Sequence, residues 1–250
     1  MPENQLTILT YNIHKGFSAG NRRFVLHQIR TALLATEADV LFLQEIQGEH
    51  YRHQQHISGW PDCAQIEFLS KGAWPHRAYG QNATYSNGHH GNAILSKFPV
   101  ISWENINVSL FRRASRSLLH GVLKIPGRDS PVHIICIHFG LFAVERQRQI
   151  AALCKRIDSH VPHDAALIVA GDFNDWRDVA ERHFSQHLAL QEAFHSVHGR
   201  RALTFPSWLP LLPVDRIYYR GVQPVSCERL LHAPWPHLSD HVPLIARFQL

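Results

Sequence analysis

No apolar run in the 250 residues approaches the ~20 that a membrane-crossing helix requires; the longest, such as 40–43 and 165–170, have strand length. The opening MPENQLTILTYN lacks a basic stretch followed by an apolar one, so a secretory signal is not expected and a cytoplasmic location is. Four cysteines, Cys63, Cys136, Cys154 and Cys227, form no Cys-x-x-Cys pair. That excludes a cysteine zinc ribbon and suits free thiols in a reducing compartment. There is no fixed-period repeat, heptad seam or low-complexity tract, which excludes solenoids, coiled coils and disordered linkers. No His-Glu-x-x-His is present, and no Lys/Arg run is longer than two.

What is present describes a globular chain with 45% hydrophobic and 18% charged residues. It carries twenty histidines and a net charge of +5. Residues 1–125 hold 12 basic and 8 acidic side chains, residues 126–250 hold 13 and 12. A modest positive field favours anionic partners such as nucleic acid, phospholipid surfaces or phosphate esters.

Apolar, β-branched segments predict strands at 6–13, 39–44, 92–96, 100–107, 117–125, 132–139, 165–170, 214–219 and 242–248. Amphipathic spacing predicts helices at 22–36, through Val25, Ile29, Ala32 and Leu33, and at 143–159, through Ile150, Leu153 and Ile157. The stretches 48–90 and 172–213 read as loops with short helices. Strands outnumber helices and many are joined by hairpin-length connections, so mixed, mostly antiparallel sheets with helices outside are expected, in one domain over 1–250.

Chemistry is sought at strand ends. The first strand runs into Asn12-Ile13-His14, where alternation puts Asn12 and His14 on one face. The second ends in Gln44-Glu45; a carboxylate and an amide on neighbouring strand ends can hold an oxygen-loving cation such as Mg²⁺. Gly171-Asp172-Phe173-Asn174 sets Asp172 and Asn174 together, able to orient water and steady a phosphate oxygen. Ser239-Asp240-His241 offers a metal or phosphate contact beside a titratable base, and Asp215 is a candidate to fix the His241 tautomer. His138 ends a further strand. His50, His53, His56, His89 and His90 form a second, looser cluster, which reads as surface loop or as a zinc site.

In order along the chain, TYNIHKG, LFLQEI, GNAILSKFPV, RSLLHGVLKI, VHIICIHFG, LIVAGDFNDW, VDRIYY and LSDHVPL resemble the motifs of the endonuclease/exonuclease/phosphatase superfamily, nearest its small bacterial YbhP-type branch. The resemblance implies a four-layered α/β sandwich, two sheets face to face with helices outside. It also implies a metal-dependent hydrolase acting on a phosphodiester through an activated water, with Mg²⁺ or Mn²⁺ as cofactor. On it, Asn12, Glu45 and Asp240 stand at metal-binding positions. His138, Asp172, Asn174, Asp215 and His241 stand at catalytic ones, and His14 and Arg116 at phosphate contacts, with Arg112 and Arg113 as neighbours that could replace Arg116. The general base stays open between Asp172 and the Asp215–His241 pair. His14 stands where some family nucleases have a carboxylate.

The segment after 132–139 lacks the Asn-x-Tyr-x-Pro of apurinic/apyrimidinic endonucleases, and GDFNDW departs from the inositol-polyphosphate phosphatases. The partner is then a nucleic acid or a phospholipid or small phosphodiester. Arg112, Arg113, Arg200, Arg201, Tyr79 and Tyr85 argue for the first; the apolar loop 205–212 and Trp235 argue for the second, through peripheral contact with a membrane. A DNA endonuclease or exonuclease, and an inactive adaptor of the same fold, are the alternatives.

Overall fold

The computed structural model describes residues 5–110 and 116–250; Arg112 and Arg113 lie outside them. In chain order the elements are β1 (Gln5–Asn12), α1 (Leu26–Ala35), β2 (Val40–His50), α2 (Tyr51–His56), α3 (Gln65–Ser70), β3 (His76–Tyr85), β4 (Gly88–Ser96), β5 (Val100–Asn107) and β6 (Ser117–Leu123). There follow β7 (Val132–His138), α4 (Ala143–His160), β8 (Ala166–Asp172), α5 (Val179–Leu188), β9 (Gln191–Glu192), α6 (Ala193–His198), β10 (Asp215–Arg220), β11 (Gln223–Arg229) and β12 (Leu244–Gln249).

They form two six-stranded sheets, ordered β11-β12-β1-β2-β4-β3 and β5-β6-β7-β8-β10-β9. Each has one parallel pair, β1/β2 and β7/β8, whose crossovers contain α1 and α4; the other pairings are antiparallel. A parallel pair needs a long connection, and a helix on the outer face supplies it. The layers are therefore helix, sheet, sheet, helix, the expected four-layered α/β sandwich.

Strand alternation fixes three apolar layers. Leu6, Ile8, Val40, Phe42, Ile94, Ile134, Cys136, Ile168, Ala170 and Ile217 fill the space between the sheets. Leu9, Leu41 and Leu43 face the other way, onto Ile29 and Leu33 of α1. Ile135, Ile137 and Val169 face Ile150, Leu153 and Ile157 of α4. Strands buried on both faces read as continuous apolar runs, which is why they are visible in the sequence. Beyond the two-residue β9, two strands, β3 and β11, are absent from the sequence-based expectation. Both are sheet edges with much exposed, polar or proline-containing sequence, HRAYGQNATY and QPVSCER, so neither alternation nor apolar content marks them.

Gly171 shows why a glycine precedes Asp172. Its φ is +149°, and a Cβ there would run into the Ile137 carbonyl oxygen of the neighbouring parallel strand.

Under α4, Arg156 Nε donates to His120 Nδ1 at 3.0 Å, which fixes the proton of His120 on Nε2. That proton is donated to His133 Nδ1, 3.0 Å away. Burial, then the charges of Arg156 and His133, push the His120 pKa down to about 3. The unfolded chain, with an ordinary histidine near 6.5, therefore binds the extra proton first. Stability is complete above about pH 6.5 and falls as the pH drops below it, by roughly 1.4 kcal/mol per unit from this residue. Thermal melts between about pH 7 and pH 5 should show that loss, and His120→Gln should flatten it; an unchanged pH slope in the variant would refute the assignment.

Candidate active site

The inner faces of the two sheets stop being apolar at one end of the sandwich, where the C-termini of both parallel pairs emerge. Continuing the inward alternation, Ile8 leads to Asn12, Cys136 to His138, Ala170 to Asp172, and Ile217 back to Asp215. Register brings them level: Asn12 lies opposite Gln44, His138 opposite Asp172, and Asp172 opposite Asp215.

Glu45 has the wrong parity for that face and reaches it differently. Its φ is +56°, at a register shift between Leu43 and Ile46, and this bulge re-aims the side chain. Asn174 also has a positive φ, +48°, and its backbone N–H donates to Asp172 Oδ1 at 3.0 Å while Phe173 packs away among apolar residues. His14 does not continue the strand as alternation suggested. β1 ends at Asn12, and His14 and Lys15 adopt φ +45° and +58° in a turn.

A cavity of about 200 Å³ is lined by Asn12, Glu45, Arg116, His138, Asp172, Asn174 and His241 with Leu141, Trp176, Phe205, Leu212 and Val214. Seven of the ten candidate residues thus line one cavity, and Asp215 stands directly behind His241. The remaining two, His14 and Asp240, face each other at 3.8 Å. Neighbours in sequence, Asp240 and His241 therefore diverge: Asp240 accepts from Ser239 Oγ, and His241 turns to Asp215. Asn12 Nδ2 bridges the two sheets, 3.3 Å from Asp172 Oδ2 and 3.5 Å from Glu45 Oε1, while its oxygen accepts from the His14 N–H.

Asp172, Asp215 and His241 form the one His/Cys/Asp/Glu group among the described residues with donor atoms close enough to enclose a metal. Its atoms are already engaged with each other. His241 Nδ1 meets Asp215 Oδ2 at 2.9 Å, and His241 Nε2 and His138 Nε2 face Asp172 Oδ2 at 3.8 and 3.4 Å. The first is a hydrogen bond and the other two are charge contacts. Glu45 Oε2 offers the better cation position: it is buried, and its close contact is already a cation, the Lys15 ammonium at 3.1 Å. A hard carboxylate oxygen beside an amide suits Mg²⁺.

Electrostatics divide the cluster. Burial, with the Asp215 charge, raises the Asp172 pKa against the pull of His241. Burial would depress His241, but the Asp215 carboxylate, by charge and hydrogen bond, lifts it to about 10. Burial likewise opposes ionised Glu45, yet His138, Lys15 and His14 hold its pKa well below the usual carboxylate range. His138 is pushed well down by burial and the Arg116 charge.

Two residues join the site that sequence reasoning passed over. His90 lies on the inner face of β4, two residues from Asn92 and four from Ile94, and its Nδ1 is buried without a partner. Burial and the charges of Lys15 and Arg116 push its pKa down to about 4, against Glu45. Extending the strand back from Asn92 by alternation would have found it. Lys15 has no such signal, since its position comes from the turn. Of the other grouped histidines, His50 stacks on His53 at 3.4 Å, among Phe17, Trp60 and Tyr85, His89 meets Tyr79 Oη at 2.8 Å, and His56 is exposed. Trp235 is likewise buried, edge-on to Tyr11, and presents no membrane-facing surface. Among the described residues, no helix is long and apolar enough to cross a membrane.

Comparison with known proteins agrees with this geometry. The Escherichia coli (strain K12) protein YbhP is 42% identical over 243 residues, 97% of this chain and 96% of that one. A crystal structure of an endonuclease/exonuclease/phosphatase from Beutenbergia cavernae superposes with a TM-score of 0.77 at 16% identity, over 99% of this chain and 72% of that one. D. rerio TDP2, crystallised with a single-strand DNA product, superposes with a TM-score of 0.74 at 20% identity, over 98% and 99%. At those identities the two structures establish the fold alone. The sequence model of the Endonuclease/Exonuclease/phosphatase family, which includes metal-dependent phosphodiesterases and nucleases, matches residues 9–241, from within β1 to His241 itself. A match across that span, on a chain whose matched strands end in this cavity, means that the protein belongs to the endonuclease/exonuclease/phosphatase family.

Proposed function

We propose that the protein is a divalent-metal-dependent phosphoesterase that hydrolyses a phosphodiester by attack of an activated water, in the cytoplasm, with Mg²⁺ as its ion and Mn²⁺ as a substitute. The observation that carries this reading is the pairing, in one cavity, of the buried Glu45 carboxylate, held against the Lys15 ammonium, with Asp172 and the Asp215-bound His241.

Bound at Glu45, with Asn12 and Asp240 to its side, the ion would neutralise charge developing on the phosphorus oxygens. The protein's residues do the rest. Asp172 is the better proton acceptor, because burial raises its pKa while Asp215 keeps His241 protonated and so unable to accept. His241 then holds its proton toward the shared Asp172 oxygen, and Asp215 fixes the tautomer and orientation of the ring. Asn174 is locked by donating Nδ2–H to the Phe139 carbonyl at 3.0 Å, and its own N–H fixes the Asp172 carboxylate in turn. Arg116, whose Nε is buried without a partner, and His138 supply donors for the phosphate from the second sheet. His14 reaches the Asp240 side of the same cluster.

With bis-p-nitrophenyl phosphate and Mg²⁺ or Mn²⁺, the protein should release p-nitrophenol, and chelator should stop it. Glu45→Ala, Asp172→Asn and His241→Ala should each slow the reaction by at least ~100-fold while melting as folded proteins. Activity that survives chelation, or variants as fast as the parent, would sink the mechanism; inert but correctly folded parent protein would favour an adaptor role.

A further inference from the structure

We propose that the rim of this cavity is a docking surface for an anionic phospholipid bilayer, from which the site takes its phosphodiester. The inference rests on the phosphoesterase reading and adds the source of the substrate.

Three of the five apolar residues in the cavity wall are open to solvent. Leu141, 61% exposed, Trp176 and Leu212 line the cavity beside Asp172 and His241. From Leu212 the apolar surface continues along the chain through Leu211, 60% exposed, to Trp208, 71% exposed; from Leu141 it continues to Val144 at the start of α4. Scattered exposed apolar side chains need no explanation, but several around the mouth of a polar site mark a contact surface.

These side chains are held outward by their own backbone. Phe205 and Leu212 form an isolated antiparallel bridge, and the Leu211 and Leu212 N–H groups both donate to the Phe205 carbonyl, at 2.9 and 2.8 Å. Ser207 donates its N–H to the Asp240 carbonyl at 2.8 Å and its hydroxyl to the Ser239 carbonyl at 2.7 Å. The loop is thereby tied to the segment that carries His241, and it presents Trp208 and Leu211 to solvent in a fixed frame. A surface ordered in advance loses little conformational freedom on docking.

Charge selects the partner. Arg177 beside Trp176, and Arg148 one turn along α4 from Val144, are exposed and make no ion pair among the described residues. Of the nearby acids, Asp178 faces Arg201 at 3.3 Å and Arg216 at 2.8 Å, Glu181 faces Arg201 at 3.0 Å, and Asp175 and Glu145 are buried, where their charges act on Arg146. The exposed charges of Arg148 and Arg177 complement acidic headgroups, while tryptophan and leucine suit the boundary beneath them. A single-stranded nucleic acid would call for flat aromatic platforms along a basic groove. The rim has two such rings, Trp176 and Trp208, and the Arg146 guanidinium already lies 4.8 Å over the first; the rest of it, Leu141, Val144, Leu211 and Leu212, is aliphatic.

The test separates docking from catalysis. The full-length protein is sedimented with vesicles of phosphatidylcholine alone, and of phosphatidylcholine with phosphatidylglycerol, in the presence of chelator. Hydrolysis of bis-p-nitrophenyl phosphate is measured in parallel with Mn²⁺. The protein should partition onto the anionic vesicles, with a blue shift of tryptophan fluorescence. Trp208→Glu and Leu211→Glu should each weaken that partition by about tenfold or more, with turnover of the soluble ester unchanged. Failure to bind anionic vesicles, or binding untouched by both substitutions, overturns the docking surface even where the soluble ester is cleaved. Tight binding of a single-stranded oligonucleotide that Trp208→Glu abolishes, without vesicle binding, overturns it in favour of nucleic acid. Vesicle binding without cleavage of the soluble ester would leave the surface standing and refute the phosphoesterase reading.

Discussion

The face-to-face packing of two sheets is the constraint from which the site follows. The space between them is filled by one side-chain parity of each strand, from Leu6, Ile8 and Phe42 on one sheet to Ile134, Ile168 and Ile217 on the other. That layer ends where both parallel pairs reach their C-termini, and the same parity then presents Asn12, His138, Asp172 and Asp215. The apolar ladder that holds the sheets together is also the ruler that aligns the polar groups. No loop is needed to bring His138 to within 3.4 Å of Asp172, because hydrogen-bonded register between β7 and β8 already does so. Groups placed on strands keep their geometry better than groups placed on loops.

Concentrating so many ionisable groups in a buried space is costly unless they compensate one another. Here the compensation also divides their tasks. Asp215 holds His241 as a cation at 2.9 Å, and His241 in turn faces Asp172. Asp172 is left buried with a raised pKa, the state the proposed proton acceptor needs. Glu45 is held in the opposite state, ionised, by His138, Lys15 and His14. Two carboxylates bridged by the amide of Asn12 thus sit in environments that push their pKa values apart, a pattern that separates a proton acceptor from a cation ligand. Lys15 marks the place where positive charge is wanted.

Much of this was legible in the sequence, and what was not has identifiable causes. Strands buried on both faces, β1, β7 and β8 among them, announce themselves by composition, and their ends point to Asn12, His138 and Asp172. Edge strands β3 and β11 do not, because half of each is exposed and polar. Parity failed at two positions for the same reason: Glu45 and His14 both take positive φ, so counting from the strand gives the wrong face for one and a false continuation for the other. His90 was missed because β4 starts four residues before its apolar part. The apolar loop 205–212 could be seen in the sequence, but not that hydrogen bonds to the His241 segment turn its side chains outward at the cavity mouth.

The central claim is that cation and proton are handled by different carboxylates, Glu45 on the first sheet and Asp172 on the second. Anomalous diffraction from crystals soaked in Mn²⁺ tests it most directly. The expected result is a peak bonded to Glu45, with the Lys15 ammonium displaced from its present 3.1 Å contact and the His241–Asp215 hydrogen bond intact. A peak seated instead among Asp172, Asp215 and His241, breaking that bond, would contradict it.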